Sequence, residues 1–247
     1  MTHATPATLL DDRAVLRIAG DDPRGFLNGL VTNDVTALAP DAPLWAGLLT
    51  PQGKVLFDFI LWADGDAVLI DCEAAKADAL ARRLSIYRLR RAITIDLVAD
   101  GAVHWRLPGG EYGADPRLPD LGQRWLGKRS GESASDHWRA HRLSLGVTEG
   151  ANELGEDKTL WLEANADLLA GVSFSKGCYV GQENTARMHY RAKVNRRLVV
   201  APLGPAGERT RVTYPDLALM VELRRIEALG DALIPAWLAP ALARDAE

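Results

Sequence analysis

The chain has 247 residues, 47% of them hydrophobic and 25% charged, which suits one large domain or two modest ones and excludes a chain dominated by disorder. The 29 Lys and Arg residues against 33 Asp and Glu leave a net charge of -4, so any nucleic-acid contact has to come from a local patch. Two cysteines, Cys72 and Cys178, exclude a disulfide framework, a four-thiolate zinc site and a four-iron cluster held by this chain alone.

In chain order, residues 14–19 form a short strand that Gly20 breaks. Asp22-Pro23 then opens a helix whose Phe26, Leu27 and Leu30 face a core. Residues 45–50 make a second strand, Pro51-Gln52-Gly53 a tight turn, and residues 55–62 a strand apolar enough to be covered on both faces. Asp64-Gly65-Asp66 turns the chain into a hairpin partner at 67–72. From Glu73 the spacing of Ala77, Leu80, Ala81 and Leu84 predicts a helix, and residues 90–97 return as a strand. This order predicts an α+β fold with antiparallel pairing, not the regular alternation of a doubly wound sheet. Residues 108–135 are rich in Gly, Pro and Ser and read as connection and surface, with a short strand near Trp125. Ser135 opens a helix to about Leu145, residues 149–157 are loop, and the C-terminal stretch is short strands punctuated by Pro215, Pro235 and Pro240. No stretch reaches the roughly 18 apolar residues of a membrane span. Residues 1–12 carry neither a secretory signal nor the arginines of a transit peptide, so a cytoplasmic, reducing location is expected.

Three motifs carry little chemistry. Residues 122–129, GQRWLGKR, follow a phosphate-binding loop for seven positions, but Arg129 stands where a magnesium-holding hydroxyl belongs. His137 and His141 share a helix face without the glutamate of a metalloprotease helix. Arg82, Arg83, Arg88, Arg90 and Arg91 run across a helix end, where cations suit the dipole; anion or nucleic-acid contact is the alternative.

Residues 176–183, KGCYVGQE, carry the strongest signal. Two glycines bracket Cys-Tyr and let the backbone turn tightly against a ligand. A helix over 181–191 with Glu183 and Arg187 paired at i, i+4 sets Cys178 just before a helix N-terminus. That position and Lys176 both favour the thiolate, so Cys178 is a candidate reactive or metal-touching thiol; a small buried cysteine in a turn is the structural alternative. Cys72, closing an apolar strand, reads as inert. From Asn184 to Gly207 there is no acid, while Arg187, Arg191, Lys193, Arg196 and Arg197 make a local positive field suited to a carboxylate, a phosphate or RNA.

KGCYVGQE with the following ARMHYR resembles the signature of the YgfZ-type folate-binding proteins, of the glycine-cleavage T-protein (aminomethyltransferase-like) superfamily. Residues 20–35 (GDDPRGFLNGLVTNDV), 48–61 (LLTPQGKVLFDFIL), 114–122 (ADPRLPDLG) and 158–165 (KTLWLEAN) are similar to that family too. The resemblance implies a pseudo-symmetric aminomethyltransferase-like, folate-binding α+β body with a short β-rich C-terminal part. The divisions expected are residues 1–107, 108–197 (the half with the motif) and 198–247. It also implies a tetrahydrofolate-binding factor for assembly or maintenance of iron–sulfur proteins, including tRNA-modifying radical enzymes. Its partners would be iron–sulfur client enzymes or cluster carriers, with an indirect link to tRNA and none to a membrane. Cys178 and Lys176 are then the candidates for chemistry. Gly177, Tyr179, Gly181, Gln182, Glu183 and Arg187 are candidates for binding tetrahydrofolate or a derivative, and Trp138 offers a flat indole face to the pterin. A folate-dependent aminomethyl or one-carbon transferase and an RNA-binding module are the alternatives. Where the T-protein has paired acids, Phe57 stands beside Asp58, which argues against aminomethyl transfer.

Overall fold

The computed structural model describes residues 7–191 and 193–246. Strands β1 (Leu9–Leu10) and β2 (Arg13–Gly20) lead into helix α1 (Pro23–Asn28), whose start Asp22 caps by accepting the Gly25 amide at 2.9 Å. Then come β3 (Leu44–Leu49), β4 (Val55–Asp64) and β5 (Ala67–Glu73). Helix α2 (Ala77–Arg88) buries Ala77, Leu80 and Leu84, as their spacing predicts, and is followed by β6 (Ile93–Leu97) and β7 (Gly101–Arg106). After β8 (Gln123–Lys128) come α3 (Ser135–Ser144), α4 (Gly150–Leu154) and α5 (Gln182–Arg191). Strands β9 (Arg196–Pro202), β10 (Thr210–Tyr214) and β11 (Leu219–Arg225) and helix α6 (Ala239–Ala246) end the chain.

The main sheet has the order β3-β4-β5-β2-β6, with β4, β5, β2 and β6 each antiparallel to its neighbour. A second sheet, β1-β7-β8, and a third, β10-β11-β9, are antiparallel. The α+β expectation and the β-rich C-terminal part hold, with α6 added. Val199, Ala201, Met220, Ala232 and Leu238 form the core of that last part.

The chain forms two compact units. One comprises Met1–Asn28, Asp34–Trp45 and Phe59–His141; the other comprises Gly29–Asn33, Ala46–Asp58 and Arg142–Glu247. The units therefore part at none of the divisions expected from sequence, 107 and 197. Residues 108–135 lie in the first unit; 108–114 and 127–133 are exposed, as expected of surface, but Asp115, Arg117 and residues 121–124 are buried. Buried Asp71 accepts Arg13 Nε and Arg124 Nε, each at 2.7 Å, and Asp115 accepts Arg117 Nε at 2.9 Å and Nη2 at 2.7 Å. The surface reading holds for the exposed parts; the buried middle escaped it because a stretch held by ion pairs needs no hydrophobic period. Residues 123–128, inside the phosphate-loop-like motif, are strand β8, and their backbone is engaged in the ladder with β7 from Arg106↔Gln123 to Gly101↔Lys128.

In the second unit, residues 149–157 are not all loop. Helix α4 lies there, and buried Asp58 accepts the Gly150 amide at 3.1 Å. Glu153 on α4 accepts Arg142 Nη1 at 2.6 Å, Arg142 Nη2 at 2.7 Å, the Glu149 amide at 2.9 Å and the Tyr214 hydroxyl at 2.5 Å. Among the described residues no helix is long and apolar enough to cross a membrane.

Candidate functional site

The KGCYVGQE segment is held in the second unit by its own buried side chains. Lys176 is 8% exposed, and its ammonium donates to the carbonyls of Val31 at 2.6 Å and Asn33 at 2.8 Å. It also lies 5.0 Å from the centre of the Tyr179 ring. Thr32 Oγ1 donates to the Gly171 carbonyl at 2.7 Å, the Trp161 indole donates to the same carbonyl at 2.9 Å, and Asn33 Nδ2 donates to Ala170 O at 2.8 Å. Residues 29–33 and 170–176 are thus laced together. The role expected for Lys176 in chemistry is corrected: its charge is spent on two backbone carbonyls, and the side chain is an anchor.

Tyr179 is the second anchor. Burial pushes its phenol up to about 12, against a smaller opposing effect of its hydrogen bond with Thr185, so the ring stays neutral. Gly181 is required where it stands. Its φ is +85°, and a Cβ there would lie 2.6 Å from the Thr50 carbonyl oxygen. This close approach seats the start of α5 on the Pro51-Gln52-Gly53 turn, where Asn184 Nδ2 donates to Gln52 O at 2.8 Å.

With Lys176 and Tyr179 turned inward, Gly177 and Cys178 are left facing solvent. Cys178 sits on a cleft of about 720 Å³. Gln182, Glu183, Arg187, Tyr190 and Arg191 of α5 line it, with Pro51 distant in sequence but adjacent in space, and Tyr179 and Gly181 contribute to its wall. Glu183 and Arg187 form the expected i, i+4 pair at 3.1 Å, both exposed. Tyr190 is 66% exposed and meets the Phe174–His189 stack edge-on. Tyr190 and Pro51 were not singled out as site residues from sequence, and Arg191 was named only as part of the positive field. The signal for two of them was available, since Arg187, Tyr190 and Arg191 recur at helical spacing on one face.

Other expected residues lie elsewhere. Trp138 belongs to the first unit and is 1% exposed. Its ring centre lies 5.5 and 5.3 Å from the Arg117 and Arg124 guanidinium carbons and 5.3 Å from the Trp105 ring. The indole is packed in the core, so the expected pterin platform is corrected to a structural tryptophan. Arg197 leaves the positive field as well: it is buried, with Nη1 3.2 Å from both Asp167 Oδ1 and Asn165 Oδ1. Cys72 is buried, with its thiol 3.8 Å from Ala14 O. Among the described residues no group of three or more His, Cys, Asp or Glu is placed to hold a metal ion.

The crystal structure of glycine cleavage system aminomethyltransferase T from Bartonella henselae matches 89% of this chain and 78% of its own length, with a TM-score of 0.58 at 12% identity. The chain has the aminomethyltransferase-like fold. No family model matches it. Its sequence is 34% identical over 227 residues to the mitochondrial iron-sulfur cluster assembly factor IBA57 of Homo sapiens, covering 76% of this chain and 64% of that protein. The Mus musculus factor of the same name is 30% identical over 236 residues, covering 79% and 66%, and the Neurospora crassa homolog is 28% identical over 229 residues, covering 78% and 52%. The chain therefore spans between about half and two thirds of the length of these curated relatives. The cytoplasmic location expected from the sequence is corrected by them, because all three are mitochondrial proteins. Free thiols report a reducing compartment and do not say which one.

Proposed function

We propose that this chain acts in the assembly or maintenance of iron–sulfur proteins, with the cleft at Cys178 as its working surface. The observation that carries this reading is an exposed thiol at a cleft lined by residues from within 178–191 and by Pro51, beside a lysine and a tyrosine that are turned inward as anchors. Similarity to iron–sulfur cluster assembly factors supports it. The cluster is cargo. One thiolate does not hold four irons, so Cys178 supplies one iron ligand while a partner supplies the others. Its sulfur replaces a ligand on one iron, its proton passes to solvent, and the exchange reverses on hand-over without change of oxidation state. The partners proposed are cluster carriers and iron–sulfur client enzymes, among them radical enzymes that modify tRNA, so the link to tRNA is indirect.

The same cleft suits tetrahydrofolate or a derivative. Gln182 offers an amide donor and acceptor to the pterin edge, Tyr190 an exposed ring, and Arg187 with Arg191 cations to the carboxylate tail. Bound there, a reduced folate supplies a one-carbon carrier. Aminomethyl transfer is not favoured, since Phe57 replaces one paired acid and Asp58 is engaged by the Gly150 amide.

The test combines native alkylation with cluster transfer to a four-iron client. Iodoacetamide is expected to modify Cys178 in the folded protein and Cys72 only after unfolding. Cys178→Ser is expected to lose transfer at an unchanged melting temperature. Full transfer by Cys178→Ser removes the ligand role, and the absence of calorimetric heat with tetrahydrofolate removes the folate part.

A further inference from the structure

After Asp78 in the first turn of α2, the chain has no acidic residue from Ala79 to Ile95 in β6, and Arg82, Arg83, Arg88, Arg90 and Arg91 fall within that span. The inner side is engaged. Leu80 and Leu84 are buried, Arg83 lies over the Tyr87 ring at 5.7 Å, and Arg88 Nη1 donates to Ile93 O at 3.0 Å. The outer side is not. Arg82 and Ile86 stand at i and i+4 on one helix face, and Leu89 follows directly after the helix end. Ile86 is 63% exposed and Leu89 88%. Among the described residues no carboxylate pairs with Arg82, Arg90 or Arg91.

Leu89 is the most informative member. It follows the last residue of α2 with φ +51° and ψ -111°, a conformation glycine adopts at little cost and a leucine does not. Folding gains nothing from a strained leucine that faces water. Single exposed aliphatics are ordinary, but two within four residues of sequence at one helix end, among unpaired arginines, have the composition of an interface centre with a charged rim.

We infer that this face docks an acidic surface of a partner protein. Apolar side chains of the partner seat on Ile86 and Leu89, and its carboxylates pair with Arg82, Arg90 and Arg91. The sign of the charge selects an acidic partner and speeds its encounter. The aliphatic centre selects protein over RNA, because single-stranded RNA is held by exposed rings on which bases stack, and Tyr87 is half-buried beside Arg83. A second copy docking the same face would set arginines against arginines. The inference is independent of the role given to Cys178.

The test titrates the full chain with a short synthetic peptide of alternating Glu and Leu, a length-matched oligoglutamate and an oligouridylate, following backbone amide shifts. The Glu-Leu peptide is expected to shift the amides of Ile86 to Arg91. It is expected to bind roughly tenfold more tightly than oligoglutamate, as burial of aliphatic surface implies, and to weaken with salt. Ile86→Ser with Leu89→Gly is expected to erase that advantage without lowering the melting temperature, and Arg90→Glu with Arg91→Glu to abolish binding. Equal binding of the two peptides, tighter binding of the oligouridylate, self-association through this face, or no shift at these amides overturns the inference.

Discussion

Lys176→Met separates an anchor from a catalytic group. Methionine keeps the apolar stem near Tyr179 and removes the ammonium that donates to Val31 O at 2.6 Å and Asn33 O at 2.8 Å. Hydrogen bonds from a charged donor contribute about 1.5–3 kcal/mol each, and two of them are lost. Breaking a buried ion pair costs about 3–5 kcal/mol because a bare charge is left behind. Here two neutral carbonyls remain, and the cost of burying an ammonium disappears, so the expected loss is smaller, about 2–3 kcal/mol. With a urea slope of about 3 kcal/mol/M, the unfolding midpoint falls by a little under about 1 M. Amide exchange should accelerate most over residues 173–180, and the folded variant should keep cluster transfer. A midpoint shift below about 0.2 M with wild-type exchange would show the anchoring argument to be wrong. Abolished transfer in a fully folded variant would return Lys176 to chemistry.

Gly181→Ala sets a Cβ 2.6 Å from Thr50 O at a φ of +85°, and is expected to cost about 2 kcal/mol, lowering the melting temperature by about 4–8 °C; an unchanged melt refutes the close approach. Burial, the largest influence, raises the Glu163 carboxyl above 4.5, while the Leu160 amide, Arg196 and Arg211 oppose it. The folded state therefore holds this proton more tightly than the unfolded one. The contribution is fully present below the unfolded value and is lost as pH rises through the folded one. Glu163→Gln should consequently gain on the wild type between about pH 4 and about pH 7 in paired urea unfolding, and a difference of the opposite sign would refute the assignment.

Legibility in the sequence followed the physical origin of each element. Where burial makes a period, as with Leu80 and Leu84 in α2, the element was readable. Turn chemistry was equally local, as at Asp64-Gly65 between β4 and β5. The short strand near Trp125 came through as β8, but helix α4 was missed because the group that holds its start is distant in sequence: Asp58 for the Gly150 amide. The candidate site divided in the same way. The i, i+4 pairing of Glu183 and Arg187 is local and came through, whereas the inward turn of Lys176 depends on carbonyls of residues 31 and 33. Trp138 has no local feature to distinguish a ligand platform from a core ring; its surroundings of Arg117, Arg124 and Trp105 decide that.

The alternation of the two units along the chain constrains how the molecule can be made. Neither unit is one continuous stretch, since residues 29–33 and 46–58 belong with the portion that begins at Arg142. During synthesis these two early pieces leave the ribosome long before their structural complement exists. The thirty-first and thirty-third carbonyls must wait for Lys176, and the turn at Pro51 for Gly181. A cut at any single peptide bond near the middle of the chain divides at least one unit from its own parts, so dissecting this protein by truncation yields fragments that are not its folding units. Vectorial folding must instead hold its earliest loops in reserve until the motif itself has been made.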